Sequence, residues 1–556
     1  MRLSRRPESA GPEPLTEGEL LGVRGVVGDP GAAYQLKDLL PPDNLRGVTQ
    51  AAARLARAIA LQETILIIGD YDADGATSCA LMVEGLGLLG ASDVRYLIPN
   101  RFDLGYGLSP NLVDLALVEN PALIVTVDQG IVSVDGVRHA KAKGLDVIVT
   151  DHHLPGEQLP LADAIVNPNQ PDCHFESKNL AGVGVAFYLL IALRQALAAD
   201  NVLPETGARL VSLLDLVALG TVADLVGLDP NNRRLVQAGI RQIRSGRARP
   251  GIKALIEVAG LDDRVLTTQQ IAFNIAPRLN AAGRLDDMSL GVECLLAPVH
   301  SAVEQAQTLD ALNQERRRIE KEMGQQALEW LPDLAAESVE DLFSVCLFDP
   351  RWHEGVIGVL AARVRAQCAR PVFIFTEVDG ALLKGSGRSI DGLHLRDLLV
   401  EVDRDCQGLL QKFGGHAMAA GVTIQKRDFE VFRDRLNEFA GVQLKGRSLD
   451  ETVISDGLPL AFDLVTVAGL VRDHPWGQGF PAPVFDERLE VLEQKLLAGG
   501  HLRLKLLSPR FDQVLEGIFF NRDRMIESRS AHFVFKLDVN RFRGVDRPQL
   551  VITHCL

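Results

Sequence analysis

The sequence predicts an α/β protein of several domains, with a buried parallel sheet first and a small β-barrel last. Three runs between about 64 and 170 are rich in β-branched residues and show little alternation: TILIIG, ALIVTV and LDVIVT. Strands buried on both faces have this pattern, and the helix-length stretches between the runs favour right-handed βαβ units. After about 448, short alternating runs such as HLRLKLL, HFVFKLDV and QLVITH have the spacing of barrel strands.

A helical connector and a second, smaller α/β domain are predicted between these two parts. The stretch from 302 to 331 has a charged helical pattern long enough to join two domains. From about 340, the strand-like runs DLFSVCLFD, PVFIF and GVTIQ are separated by helical stretches and glycines. The predicted divisions are a loose N-terminal lead at 1–50, a first α/β domain at 51–240, a helical connector at 241–335, a second α/β domain at 336–447 and a barrel at 448–556.

The composition is typical of a globular protein with more than one core. The chain has 556 residues, of which 47% are hydrophobic. Its seven cysteines are scattered and include no CxxC pair, which argues against a disulfide framework or a structural zinc. We see no apolar run approaching the roughly 20 residues of a membrane helix, so we expect a cytoplasmic protein without membrane contact.

Acidic and histidine residues follow the buried runs directly. The carboxyl ends of parallel strands meet at one edge of an α/β sheet, so side chains that follow different strands should lie close together. A helical stretch from 213 to 228 places one further acidic residue near its end. The residues concerned are Asp70, Asp72 and Asp74 after the first run, Asp128 after the second, Asp151, His152 and His153 after the third, and Asp224 in the helical stretch.

Crowded carboxylates at a buried strand end repel one another unless a cation neutralises them. Oxygen ligands favour Mg²⁺ or Mn²⁺, and the adjacent histidines shift the preference toward Mn²⁺. Two such ions about 4 Å apart, bridged by one carboxylate, are suited to phosphoester hydrolysis. Taken alone, a DxDxD pattern is more often a turn or calcium-like loop and an HH pair more often a surface pair, so the prediction depends on their combination at three strand ends.

The motifs resemble those of the DHH phosphoesterases. DYDADG at 70–75, VDQG at 127–130, DHH at 151–153 and GTVADLVGL at 220–228 occur in the order of the four family motifs. Four later motifs resemble the RecJ exonuclease branch of that family with its DHH-associated second domain, and the resemblance runs from about 50 to the end. These later motifs are PRLNAAGRL at 277–285, WHEGVIGV at 352–359, GSGRS at 385–389 and GGHAMAAG at 414–421.

The resemblance implies 5′-to-3′ hydrolysis of single-stranded DNA to mononucleotides with two Mn²⁺ or Mg²⁺ ions, in DNA repair and recombination. It implies that Asp128 bridges the ions and that Asp70, Asp151 and His153 orient ligands or contact the scissile phosphate. Many relatives carry a small or amide residue directly after the second-motif aspartate; Gln129 stands there in this sequence and cannot replace a carboxylate, but the ligand position before it is intact. The metal ligands implied are Asp72, Asp74, Asp128, His152 and Asp224.

An exonuclease must recognise a chain end, and a terminal phosphate is bound by arginine forks and by hydroxyl or backbone donors. Arg101 taken alone is equally compatible with a surface ion pair, and GGH alone with a tight turn. The resemblance implies that a 5′-phosphate and nucleotide pocket is formed by Arg101, Arg278, Asn280, Ser386, Arg388, Gly415 and His416.

The last domain resembles an OB-fold, which binds single strands through stacking and a basic groove. The formal net charge of −15 argues against a nucleic-acid partner, but in 484–556 Lys and Arg slightly outnumber Asp and Glu. Five phenylalanines interleave with these basic residues, and alternation favours a core position for any single one of them. They are Phe519, Phe520, Phe533, Phe535 and Phe542.

Two other functions share parts of this pattern. A small-substrate DHH phosphodiesterase acting on oligoribonucleotides or cyclic dinucleotides needs only the two α/β domains, so the barrel argues against it. A nonhydrolytic DNA-binding scaffold of the same fold is disfavoured because all the predicted acidic ligands are present. The resemblance further implies a monomer whose partners are a single-strand-binding protein and a RecQ-type helicase.

Overall fold

The structure is a computed structural model that describes residues 2–9, 11, 13–26, 34–100, 105–330, 342–446, 452–542 and 544–556. It contains two compact units. One consists of Leu3–Asp310 together with Ile454–Leu556, and the other of Met1–Arg2 and Ala311–Val453. The first α/β domain and the barrel therefore belong to one compact unit.

The first unit begins with a short strand and continues with the parallel sheet and its helices. In chain order the elements are β1 (Arg2–Arg5), α1 (Glu17–Gly22), α2 (Val48–Ala60), β2 (Ile65–Ile68), α3 (Ala73–Leu88), β3 (Val94–Leu97), α4 (Pro110–Ala116), β4 (Leu123–Val127), α5 (Val134–Ala142), β5 (Asp146–Thr150), β6 (Ala164–Val166), α6 (Gly182–Ala199), α7 (Leu214–Ala223), α8 (Pro230–Gln242), α9 (Pro250–Val258), α10 (Thr268–Gln270), α11 (Ala276–Leu285) and α12 (Ser289–Leu296).

Five parallel strands form the first sheet in the order β3-β2-β4-β5-β6. The three predicted runs are β2, β4 and β5, and all of their residues except Asp146 at the start of β5 are buried. Leu66, Ile124 and Val147 pack on one face against α4 and α5, while α3 and α6 contact the sheet from within the same unit. Burial on both faces explains why these runs lack alternation.

Two helical stretches of this unit, Gly182–Ala199 and Glu205–Ala223, have the length and hydropathy of a membrane span. The expectation that no apolar run approaches that length is wrong for them. In each, about two thirds (67%) of an 18-residue window is buried inside the protein, and a helix that is apolar all round is typical of a large protein core as well as of a membrane.

The prediction of a loose N-terminal lead is wrong for the residues that the structure describes. The Arg5 guanidinium forms an ion pair with Asp486 at 2.7 Å, and Arg24 pairs with Asp456 at 2.5 Å. A capping box between Thr16 and Glu19 starts α1. The polar composition of the lead gives no sign of these carboxylate partners, because they lie more than 400 residues away in the chain.

The predicted connecting helix is α13 (Val299–Glu329), and the division between the two units falls within it. The second unit contains a five-stranded sheet in the order β10-β11-β9-β8-β7, in which β7 and β8 are parallel and the remaining pairs antiparallel. Its further elements are β7 (Val345–Phe348), α14 (Ile357–Cys368), β8 (Val372–Glu377), β9 (Leu382–Arg388), α15 (Leu395–Asp405), β10 (Leu410–Gly415), β11 (Ala419–Gln425) and α16 (Phe429–Leu444).

The C-terminal part is a closed five-stranded barrel in the order β13-β14-β15-β17-β16, which confirms the predicted OB-fold architecture. Phe533 and Phe535 are fully buried barrel residues, whereas Phe520 is 51% exposed. The side chain of Phe542 lies outside the described residues. The elements are β12 (Thr452–Ser455), α17 (Leu464–Arg472), β13 (Phe485–Leu497), β14 (His501–Ser508), β15 (Gln513–Phe519), β16 (Ser530–Phe542) and β17 (Val545–Cys555).

Candidate metal centre

The loop after β2 carries the first three acidic residues into the start of α3. The Asp72 carboxylate caps the helix by accepting hydrogen bonds from the N–H groups of Asp74 at 2.9 Å and Gly75 at 3.1 Å. A Cβ on Gly75 would overlap the Asp70 backbone. The turn is therefore tight enough to bring all three carboxylates to one end of the sheet.

Asp74 is buried at the N-terminus of α6. Its carboxylate accepts hydrogen bonds from the N–H groups of Gly182 at 2.6 Å and Val183 at 2.9 Å. A helix N-terminus stabilises negative charge through these free donors and the helix dipole. The apolar helix α6 thus fixes the position of a carboxylate that comes from a different strand.

Asp128, at the end of β4, has a left-handed backbone with φ of 60° and is 1% exposed. The neighbouring Gln129 side chain donates hydrogen bonds to the backbone oxygens of Gly69 at 2.6 Å and Ile68 at 3.3 Å. Gln129 therefore fastens the β4 loop to the end of β2. A Cβ on Gly182 would lie 2.6 Å from the Asp128 Cβ, so only glycine fits beside this carboxylate.

Asp151 holds the loop after β5 in place. Its Oδ1 accepts from the backbone N–H groups of His152 at 2.7 Å and His153 at 3.0 Å, and Oδ2 accepts from Ile131 N–H at 2.9 Å. His153 Nδ1 lies 2.8 Å from the same carboxylate. Burial opposes protonation of His153, but the Asp151 carboxylate outweighs it and raises the pKa of His153 to about 9. Asp151 is thus placed to orient both histidines.

His152 lies between the carboxylates of two different elements. Its Nε2 is 3.1 Å from Asp128 Oδ1 and 3.5 Å from Asp224 Oδ2, at the C-terminal end of α7. Ligand atoms within 4.8 Å of one another form three groups. The groups are Asp74, His152 and Asp224; Asp70, Asp72 and Asp128; and Asp128, His152 and His153.

The charges of this cluster fit divalent cations. Burial and the neighbouring Asp72 charge raise the pKa of Asp74 to about 7, and burial with the other carboxylates raises the pKa values of Asp128 and Asp224 well above their usual range. Within the described residues, the buried Asp128 Oδ1 and Asp224 Oδ2 accept no hydrogen bond. Such carboxylates are stabilised by a cation, and oxygen donors with one imidazole suit Mn²⁺ or Mg²⁺.

Asp70 lies beside the predicted ligands, since one of its oxygens is grouped with those of Asp72 and Asp128 at ligand spacing. This position is compatible with the orienting role predicted for it from the sequence.

Asn280 and Arg278, on α11, contact protein groups in this structure. Asn280 Oδ1 accepts a hydrogen bond from the Ala73 N–H at 2.8 Å, directly beside the first acidic loop. Arg278 is 8% exposed and forms an ion pair with Asp310 at 2.8 Å. Asn280 thus supports the acidic loop directly, and Arg278 fixes the helix that carries Asn280. Arg101 lies outside the described residues.

In the second unit, the four remaining predicted substrate residues lie on or directly after β9 and β10, two strands of one sheet that are separated by β11. Gly387 pairs with Ala420 of β11, which pairs in turn with Gly415 of β10. Arg388 donates a hydrogen bond to the Gly387 carbonyl at 2.8 Å and lies 3.3 Å from the Ser386 hydroxyl. His416 directly follows Gly415, the last residue of β10.

The first turn of α14 completes this region of the second unit. A Cβ on Gly358 would lie 3.0 Å from both the Arg388 guanidinium and the Ser386 hydroxyl. A helix N-terminus, a guanidinium and a hydroxyl are suitable donors for a phosphate.

Several supporting residues were not predicted from the sequence. Asn169 donates to the His152 carbonyl at 2.6 Å and Asn167 to the His153 carbonyl at 2.9 Å. Gly220 has no space for a Cβ because it faces Thr77 and the Asp74 carboxylate. The signal for the two asparagines is the NPN sequence directly after AIV, a short run that forms β6 and was not predicted as a strand.

Comparisons with known proteins agree with this architecture. Residues 64–221 match the DHH family N-terminal domain, 340–441 the DHHA1 domain and 460–554 the RecJ OB domain. The single-stranded-DNA-specific exonuclease RecJ of Dickeya dadantii is 46% identical over 568 residues, covering 100% of this chain and 98% of the relative. RecJ of Escherichia coli is 46% identical, covering 96% of this chain and 94% of the relative.

Solved structures give the same result. The crystal structure of RecJ in complex with Mn²⁺ from Thermus thermophilus has a TM-score of 0.78 and 28% identity, covering 100% of this chain and 79% of that one. A structure of exonuclease RecJ bound to manganese has 34% identity and a TM-score of 0.61, covering 74% of this chain and 99% of that one. With the acidic cluster at the strand ends, the second α/β domain and the closed barrel all present, the chain belongs to the RecJ family of DHH phosphoesterases.

Proposed function

We propose that this protein is a single-stranded-DNA-specific exonuclease that hydrolyses DNA from the 5′ end to mononucleotides. The observation that carries the proposal is the position of Asp128, which lies within ligand distance of two separate groups of donor atoms. A carboxylate shared in this way suits a bridge between two divalent ions. The RecJ relatives, which are named as exonucleases specific for single-stranded DNA, support the substrate class.

The metal ions would be held by residues from four segments of the first unit. We assign the ligands as Asp72, Asp74, Asp128, His152 and Asp224. When bound, Mn²⁺ or Mg²⁺ ions polarise the phosphodiester and activate the attacking water. Asp151 fixes the tautomer and direction of His153 through the contact at Nδ1. His153 is thereby positioned to contact the scissile phosphate, and Asp70 to orient the groups around it.

The terminal phosphate would be bound by the donors of the second unit, Ser386, Arg388, Gly415 and His416. The proposal is supported by Ser386 and Arg388 on β9, which face Gly358 in the first turn of α14, and by Gly415 at the end of β10 in the same sheet. We assign Arg278 and Asn280 a contribution to substrate binding through the acidic loop that their helix supports, and Arg101 a direct phosphate contact.

The barrel would hold the single strand that leads to the metal centre. Its exposed Phe520 ring and the excess of basic residues support this role. We further propose a cytoplasmic monomer that acts in DNA repair and recombination with a single-strand-binding protein and a RecQ-type helicase. The seven cysteines, which are all free, suit a reducing compartment.

Digestion of end-labelled oligonucleotides in Mn²⁺ tests the proposal. We expect single-stranded DNA to be degraded, duplex DNA to resist, and a label at the 5′ end to appear at once as a mononucleotide. Release of the 3′ label first would contradict the polarity. Faster hydrolysis of dinucleotides than of long strands would instead indicate a small-substrate phosphodiesterase.

A further inference from the structure

The first unit contains a cavity of about 550 Å³ with a basic lining, formed outside the metal centre. Three arginines line it: Arg209 from the 3₁₀ segment Glu205–Leu213, Arg241 from the end of α8, and Arg247 shortly after α8. All three are exposed. Among the described residues that line the cavity there is no carboxylate.

The three guanidiniums are not used in ion pairs within the described part of the chain. Arg247 donates a hydrogen bond to the Ser245 hydroxyl at 2.9 Å. Many other arginines of this acidic protein have a carboxylate partner, as Arg249 has Asp215 and Glu84. Three positive charges that line one cavity without an ion-pair partner among the described residues indicate a site for an anion with more than one negative charge.

A buried arginine behind the cavity adds to this positive field. Arg233 is 6% exposed, and its Nε and Nη1 have no hydrogen-bond partner among the residues that the structure describes. Its guanidinium lies 4.3 Å from the centre of the Phe480 ring. Burial raises the pKa of Tyr34, a lining residue, to about 12, and the charges of Arg233 and Arg241 oppose that rise.

The rest of the lining is apolar or neutral. Leu36, Val211, Leu214 and Ala238 form a wall beside the arginines, and Gln242 is fixed through a hydrogen bond to the Ser212 carbonyl at 2.7 Å. A cavity of this size accommodates a small molecule with an apolar ring system. A nucleotide has phosphates, which guanidiniums bind, and a base, which an apolar wall contacts. The lining of this cavity offers both.

The cavity lies at the end of α7 opposite Asp224. Leu214 and Asp224 stand at the two ends of this helix, which has ten residues and is therefore about 15 Å long. The helix α8 runs back beside it, since Gly239 packs directly against the Leu214 carbonyl. The cavity is therefore separate from the metal centre, although both involve the same helix.

We propose that this cavity, defined by Arg209, Arg241 and Arg247, is a binding site for a nucleoside diphosphate. The three guanidiniums bind the diphosphate, and Leu36, Val211 and Ala238 contact the base. The site is independent of catalysis, and its occupancy does not require divalent ions.

Calorimetric titration of the full chain with ADP in EDTA tests the site. We expect one molecule of ADP to bind per chain, more tightly than AMP or inorganic pyrophosphate. AMP lacks the second phosphate that the arginines would bind, and pyrophosphate lacks the base that the apolar residues would contact. Arg241→Glu and the milder Arg241→Gln should weaken ADP binding by about tenfold or more, as expected for loss of a charge-assisted contact. Arg194→Glu, at an exposed arginine on α6, is the matched control and should bind ADP normally.

The Asp128→Asn variant should also bind ADP normally, which separates this site from the metal centre. Absence of ADP binding to the wild-type chain, or binding that persists in Arg241→Glu, would overturn the proposal. Loss of oligonucleotide binding in Arg241→Glu with no ADP binding in the wild type would overturn it in favour of a contact to DNA backbone. None of these outcomes depends on the polarity or rate of DNA hydrolysis.

Discussion

At the scale of single residues, the proposed metal centre contains several carboxylates that are costly to bury without a cation. Asp128 shows this most clearly, because it is buried, has a left-handed backbone and belongs to two groups of ligand atoms, one with Asp70 and Asp72 and the other with His152 and His153. Its neighbours are equally constrained, since Gly182 leaves no space for a side chain beside it. The site is thus determined by shape as well as by charge.

Asp128→Asn is expected to abolish hydrolysis while the fold is retained. Asparagine tolerates the left-handed backbone as aspartate does, whereas alanine would add strain. The amide cannot bridge two cations, so we expect fewer Mn²⁺ ions per chain, measured by equilibrium dialysis, and loss of nuclease activity.

Asp135→Asn, at an exposed carboxylate on α5, is the matched control for Asp128→Asn. Full Mn²⁺ occupancy together with wild-type hydrolysis in Asp128→Asn would show that Asp128 is not the bridge.

Gln129→Leu is expected to weaken both stability and metal affinity. The substitution removes the donors to the Gly69 and Ile68 carbonyls and leaves them buried, at a cost of about 1–3 kcal/mol. Because these contacts hold the β2 and β4 loops together, the Mn²⁺ dissociation constant should rise as well. Urea unfolding without metal and Mn²⁺ titration measure the two effects.

Gln129→Asn retains the amide and should lose less on both measures than Gln129→Leu. A variant with leucine that loses stability but binds Mn²⁺ normally would limit Gln129 to a purely structural role.

At the scale of elements, the ends of strands and helices position every acidic residue proposed as a metal ligand. β2, β4 and β5 deliver their loops to one edge, and the N-terminus of α6 and the C-terminal end of α7 approach from outside the sheet. The N-terminal strand β1 likewise holds a buried carboxylate, in this case one at the start of the barrel. Arg5 from β1, Ser455 from β12 and His532 from β16 all contact the buried carboxylate of Asp486 on β13.

Arg5→Ala is expected to destabilise the protein by about 2 kcal/mol at neutral pH, because it leaves a buried carboxylate without its main partner. Burial opposes ionisation, but hydrogen bonds from Arg5, Ser455 and His532 lower the pKa of Asp486 below its usual value. A lowered folded-state pKa contributes stability above the unfolded value of about 4, and this contribution is lost as the pH falls below it.

The difference in free energy of unfolding between wild type and Arg5→Ala should therefore be largest at neutral pH and shrink toward a pH of about 3. Urea unfolding at several pH values measures it. A difference that is independent of pH would show that Arg5 acts through packing alone.

At the scale of the whole molecule, the barrel is part of the catalytic unit. The segment after α17 contacts α8 and the turn before it, where Gln237 donates to the Asp473 carbonyl at 3.0 Å and the Leu228 N–H to the Gln478 carbonyl at 2.7 Å. Deleting the barrel would expose these surfaces and change the fold along with DNA binding. Substitutions on the barrel surface are therefore the better test of its role.

Phe520→Ala is expected to raise KM for long single-stranded DNA while kcat stays unchanged. The exposed ring, directly after the end of β15, can stack on a base, and such stacking contributes about 1–3 kcal/mol. Val514→Ala, at an exposed apolar residue on β15, is the matched control. An unchanged KM for Phe520→Ala would place the DNA path elsewhere on the molecule.

The sequence by itself determined the fold class and the residue types proposed as metal ligands. Runs buried on both faces predicted β2, β4 and β5, and the residues directly after them predicted the metal centre. These signals are local, because a strand and the loop that follows it are adjacent in the chain. The closed barrel was predicted from local alternation for the same reason.

Only the tertiary structure decided which groups meet. Asp74 is bound by Gly182, 108 residues away, and Arg5 by Asp486, 481 residues away. Asn280 accepts a hydrogen bond from Ala73, Arg278 forms an ion pair with Asp310, and three arginines line one cavity. Contacts between distant segments depend on how complete helices and sheets pack, and no local pattern of residues specifies that packing.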